Sequence, residues 1–414
     1  MPDPNDPRVQ QMMAQLQHMM SQQSSGPVNW DLARQLANQQ VGEDPMVDSR
    51  SRTAGDESLR LADLWLENAT TLPSGTSTTV AWTRKDWIAH TVDTWKELAE
   101  PLAAHMADAL QELVPEDMRA MLGPMSSLMK GLGSTLFGAQ LGQAMASLST
   151  QVMTSTEVGL PLGPAGTAAL IPANLAEYAE GLEDIDIDEV RLYVSLRETA
   201  HHRLYGHVPW LRAHILGGVE AYSRGIHIDT SAIESLTGDL DFSDQEAMRN
   251  VDLGELLRTS DTPQQQAAVA RLEHMLALVG GWVSHVAAQA AGDRLPSLSK
   301  LTESARRRRA TGGPAERTFE ALVGMKLSPK KLREATALWE KLTEERGVDG
   351  RDAVWSHPDL MPSPEDLDDP DAFAAREPGL GDLDMSIFDQ LAVNDPKPPR
   401  EDDDSDGDQG KNPS

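Results

Sequence analysis

The clearest signal along the chain is the return of apolar side chains every three or four residues, the spacing that lines one face of an α-helix. Leu59, Ala62, Leu64, Trp65 and Leu66 follow it, and the Pro73-Ser74-Gly75 cluster predicts a loop behind them. Trp87, Ile88, Val92, Trp95 and Leu98 form a broader stripe, and Thr83 with Asp86 predicts a capping box in which Asp stands for the usual Glu. Pro101 predicts a kink before the stripe resumes at Leu102 and Met106.

The middle of the chain alternates such stripes with breakers. Gly131 to Val152 has small residues at Ser134, Gly138, Gly142 and Ala146, a spacing of four that lets another helix approach closely. Gln140 and Gln143 interrupt this stretch, so it reads as a buried helix and not a membrane span. Proline and glycine between Val158 and Pro172 forbid regular helix, with Ala168 to Ile171 left as a short strand. Asn174 is placed to cap a helix through Tyr178. Asp186 and Glu189 predict a cap for a long helix from Ile187 to Tyr205, with Gly206 as its stop and Pro209 opening the next. Val269, Leu272, Leu276, Val279, Trp282, Val283 and Val286 mark a further long helix over Ala267 to Ala291. Shorter ones are expected near Glu316 to Met325 and Pro329 to Glu345.

These elements predict a mainly α protein with at most a short strand or hairpin. Residues 1–54 read as a mostly disordered segment with a Met-rich helix around Met12 to Met20, 55–360 as the helical domain, and 361–414 as an acidic disordered tail. The N-terminus lacks the pattern of a signal peptide, and the expected location is the cytoplasm. With 65 acidic and 36 basic side chains the formal net charge is -29, which repels a nucleic-acid backbone and argues against that partner. There is no cysteine, so thiolate metal sites and cysteine nucleophiles are excluded, and any metal must use His, Asp or Glu. Arg306 to Arg309 reads as a solvated helix end or a contact with acidic protein surface, ahead of the alternative of a patch for nucleic acid or another anionic partner.

Candidate chemistry concentrates in one segment, where His201, His202, His207, His214 and His227 supply five of the eleven histidines. A zinc-peptidase helix of the form H-E-x-x-H sets two histidines on one face, and the intervening glutamate activates the bound water. Here that frame reads Arg197-Glu198-Thr199-Ala200-His201. Glu198 is the candidate general base and His201 a candidate ligand, with His207 able to fold back as a second. Arginine has no lone pair, so Arg197 cannot replace the first ligand. A metal-free reading is equally concrete: Glu198 pairs with His202 one turn on, while Arg197 and Arg203 bind other carboxylates.

The surrounding phrases resemble the zincin-like metallopeptidase family of bacterial hydrolase-like proteins. They include Phe137-Gly138-Ala139-Gln140-Leu141-Gly142-Gln143-Ala144, Val158-Gly159-Leu160-Pro161-Leu162 and His207-Val208-Pro209-Trp210-Leu211. Leu278-Val279-Gly280-Gly281-Trp282-Val283, Gly312-Gly313-Pro314-Ala315-Glu316-Arg317-Thr318-Phe319 and Gly350-Arg351-Asp352-Ala353-Val354-Trp355 extend the likeness over residues 60 to 360. The resemblance implies a zincin-like helical domain and zinc-assisted hydrolysis of a peptide or related amide, with a peptide or protein as substrate. It also implies a third ligand, a glutamate from a later helix, where this chain carries Gly280. Two alternatives stand beside the hydrolase. One is a non-catalytic scaffold that meets a protein partner through its N-terminal segment or acidic tail; the other is a site for a small polar molecule without turnover.

Overall fold

Asn29 accepts the main-chain N–H of Leu32 and starts the first described helix, α1 (Trp30–Val41). This is a computed structural model, and it describes residues 26–112, 123–225, 262–314, 317 and 331–376. The expected Met-rich helix, the helix at Glu316 to Met325, His227 and the acidic run at 401–404 lie outside those residues. The chain divides into Met1–Ala375 and Arg376–Ser414, and every element named below belongs to the first unit.

The fold is mainly α. After α1 come α2 (Ser49–Leu66), β1 (Thr78–Ala81), α3 (Arg84–Glu112), α4 (Gly123–Ser149), β2 (Thr167–Leu170) and α5 (Pro172–Glu180). Then follow α6 (Ile187–His207), α7 (Pro209–Arg224), α8 (Pro263–Ala291), α9 (Leu298–Ala310), α10 (Leu332–Asp352) and α11 (Pro370–Ala375). β1 and β2 pair in parallel, Thr78 opposite Thr167 through Ala81 opposite Leu170. No described helix is long and apolar enough to cross a membrane.

Packing explains several of the sequence phrases. A Cβ on Gly138 would lie 2.5 Å from the carbonyl oxygen of Asn29, and one on Gly142 would lie 2.5 Å from that of Ala33. The small-residue face of α4 is thus the seat of α1, whose own buried positions are Ala33 and Ala37. At this contact backbone proximity takes the place of large apolar side chains. Trp355 stacks on Trp339 at 5.3 Å and on Trp210 at 6.2 Å, which unites α7, α10 and the turn after it. Beneath them Asp352 accepts from Trp282, Arg351, Thr70 and the main chain of Thr71.

Local expectations fare unevenly. Thr83 and Asp86 exchange both bonds of the capping box at 3.0 Å each, and α3 runs through Pro101 without a break in its assignment. Asn174 does not cap α5, which opens on Ile171 and Pro172; its amide instead donates to the carbonyls of Ser149 and Val152. Gly206 does not stop α6, which ends at His207. Its missing side chain admits Gly75, whose Cα would lie 3.2 Å from a Cβ at 206. Gly75 itself could carry no side chain, since a Cβ there would overlap the His202 carbonyl.

Candidate functional site

Helix α6 is buried over most of its length, and one face carries Glu198, His201 and His202 inward. The Glu198 carboxylate is 1% exposed and meets donors from two other segments. Its Oε1 accepts from the Ser155 hydroxyl at 2.5 Å and the Ala169 N–H at 3.1 Å, with His202 Nε2 at 3.3 Å. Its Oε2 accepts from the Thr156 N–H at 3.2 Å and the Thr156 hydroxyl at 2.5 Å. An ionised carboxylate has about four acceptor positions, so these contacts saturate it. Burial alone would raise its pKa; the hydrogen bonds and charge of His202 and the hydroxyls of Ser155 and Thr156 outweigh that and hold it well below the usual carboxylate range.

His201 differs from its neighbours. Its Nδ1 lies 2.8 Å from the carbonyl oxygen of Arg197, which can only accept, so Nδ1 carries the proton and Nε2 presents a lone pair. The ring is 2% exposed, and Nε2 has no hydrogen-bond partner. Burial and then the nearby Arg197 charge push this imidazole down to about 3, so it is neutral at physiological pH.

Glu198 and His201 border one pocket of about 610 Å³, counting the space open to solvent. Arg197, Arg308, Arg309, Glu157, Tyr178 and Tyr193 are also in its wall. Arg197 donates to the Ser284 hydroxyl at 3.0 Å, and that hydroxyl donates to the Gly280 carbonyl at 2.7 Å. A Cβ on Gly280 would lie 3.0 Å from a terminal nitrogen of Arg309. An arginine therefore stands beside the position expected for the third ligand.

His207 is exposed at the end of α6, 3.2 Å from the Ser74 carbonyl and outside the pocket wall. His274 meets the Pro362 carbonyl at 2.7 Å and His285 the Thr343 hydroxyl at 2.8 Å, both away from the pocket. The expected pairing of Glu198 with His202 and of Arg203 with a carboxylate is present, the latter to Asp63 at 2.8 Å. Arg197 differs, taking a serine in place of a carboxylate, and among the described residues no acidic group lies within 4 Å of it. The arginine run divides by helix face. Arg306 and Arg307 bind Glu303 at the surface, Arg308 turns inward to Glu157 at 3.1 Å, and Arg309 enters the pocket. Ser155, Thr156 and Ala169 carry no site signal in the sequence, because only the tertiary fold brings them to Glu198.

Among the described residues no three His, Asp or Glu side chains gather where they could hold a metal ion. The residues of the expected frame do not fit zinc: a cation stands at the first position, no side chain at the third, and one imidazole nitrogen remains. The family model for zincin-like metallopeptidases matches residues 28–374. The chain belongs to that family. A crystal structure of a "putative hydrolase with a novel fold" from Chloroflexus aurantiacus is similar to it, with a TM-score of 0.57 and 19% identity over 84% of this chain and 97% of that one. That likeness establishes a shared fold. Comparison with curated proteins gives no match. The matched span includes the Arg197 to His201 segment, where the Glu198 carboxylate is buried and saturated by hydrogen bonds.

Proposed function

We propose that this chain is a non-catalytic member of the family, a helical binding protein in which the hydrolytic site has become structural. The saturation of Glu198 carries the reading. A general base needs an accessible lone pair and a pKa near the working pH, and this carboxylate has five close contacts and a depressed pKa. Arg197 supports it, because a guanidinium at the first ligand position repels a dication. A protein partner reached through the N-terminal segment or the acidic tail, in the cytoplasm, completes this reading.

One observation favours the hydrolase instead: the lone pair of His201 Nε2 has the form of a surviving metal ligand. In that reading zinc would assist hydrolysis of a peptide or related amide, with Glu198 as base and His207 recruited by movement of the end of α6. Elemental analysis of protein purified without a histidine tag separates the two. The non-catalytic reading expects no stoichiometric zinc in the wild type or in His201→Ala. One zinc per chain that disappears in His201→Ala supports the hydrolase and overturns the proposal.

A further inference from the structure

We infer that the pocket beside His201 binds a small neutral molecule through a cis-amide edge, in which a C=O and an N–H point to the same side. A ring lactam such as a pyrimidine base and a primary carboxamide both present this edge. The inference rests on the non-catalytic reading, since a metal on His201 would take up the lone pair that the ligand's N–H requires.

Two polar groups on α6 select that edge. Nε2 of His201 is buried and unpartnered, and the proton on Nδ1 leaves it a lone pair, so it requires a donor on the ligand. Arg197 donates to the Ser284 hydroxyl through one terminal nitrogen, and its guanidinium carbon lies 5.9 Å from the centre of the Tyr193 ring. Its other N–H groups are donors that require an acceptor. Both residues border the pocket, and being four apart on α6 they share one face of the helix. A ligand that answers both therefore carries its donor and its acceptor on the same side. A trans peptide group holds its N–H and C=O on opposite sides and fails this condition.

Charge and shape favour a neutral, flat molecule. The carboxylates of Glu157 and Glu198 stand in the same wall, Arg308 is held by Glu157, and Arg309 is likewise engaged, so none of these four is counted on for binding. A bare anion would set its own lone pairs against that of Nε2. Tyr178 and Tyr193 supply flat apolar surface in the wall. The amide N–H thus lies on His201 Nε2, its carbonyl against Arg197, and the body of the molecule against the tyrosines.

The test is calorimetric titration of the full-length, untagged protein, with zinc content measured on the same sample. Uracil represents the ring lactam and propionamide the primary carboxamide; the tighter binder assigns the source. 1,3-Dimethyluracil lacks the donor, N-methylacetamide holds donor and acceptor on opposite sides, and propionate puts a charge in place of the N–H. The proposal expects the preferred amide to bind about tenfold more tightly than each of these three, and about tenfold more weakly to Arg197→Met than to the wild type. Arg197→Lys keeps a donor and retains most of the affinity, which guards against misfolding of the methionine variant. In the wild type alone, the His201 Nε2 nitrogen-15 resonance is expected to move with the preferred amide and not with 1,3-dimethyluracil. N-methylacetamide or propionate binding as tightly as the preferred amide overturns the proposal, as does unchanged affinity in Arg197→Met. Zinc-free protein that binds neither amide overturns this inference and leaves the non-catalytic reading standing, whereas one zinc per chain contradicts that reading and this inference with it.

Discussion

Thr156 precedes Glu198 by 42 residues, yet its N–H and its hydroxyl both end on the same carboxylate oxygen, at 3.2 and 2.5 Å. With Ser155 and Ala169 on the other oxygen, the carboxylate ties the segment after α4 and the strand β2 to α6. Glu198→Ala leaves these buried donors without an acceptor and His202 without its partner. Chemical denaturation should show a loss of roughly 3–5 kcal/mol, the range for breaking a buried charged contact. A residue kept only for catalysis would leave the unfolding midpoint unchanged.

Two helical glycines, Gly281 at the α8–α10 crossing and Gly55 in α2, have opposite expected outcomes. A Cβ on Gly281 would meet the main chain of Ala335 at 2.8 Å, whereas one on Gly55 has nothing nearer than Leu170 at 3.7 Å. Gly281→Ala should destabilise the protein by about 1–3 kcal/mol through overpacking. Gly55→Ala, inside α2, should stabilise it by about 0.5–1 kcal/mol, because alanine restricts the unfolded chain. Thermal melts of the two variants check both signs.

Asp352 makes an acid-dependent contribution. Burial would raise its pKa, but the hydrogen bond and charge of Arg351, with Thr70 and Trp282, lower it below 3.8. The folded state therefore holds fewer protons than the unfolded state as this group titrates. Its stabilisation is present above pH 3.8 and is lost as pH falls through the lower, folded value. Asp352→Asn leaves Arg351 buried without a counter-charge and should cost about 3–5 kcal/mol at neutral pH. Its stability should also fall less steeply than that of the wild type below pH 4, as acid titration of both proteins will show.

The long elements were legible because they rest on stripes of large side chains: Trp87, Ile88 and Trp95 in α3, Leu272, Val279 and Trp282 in α8. Capping chemistry was legible where donor and acceptor are three residues apart, as at Thr83 and Asp86. Helix α1 left little trace, since it is anchored by Ala33 and Ala37 against two glycines of α4. Strand β1 is four residues long, and its pairing with β2 is fixed by distant chain. In the site, the helical frame gave Arg197, Glu198 and His201 a common face. It could not disclose Ser155, Thr156 and Ala169, which decide whether Glu198 is free to act, nor that Arg309 would lie beside Gly280.

Zinc titration into metal-free, untagged protein is the most direct test of the claim that this site holds no catalytic metal. Calorimetry should show no one-to-one binding in the micromolar range, and heats unchanged by His201→Ala. A single saturable zinc site that vanishes in His201→Ala would contradict the account.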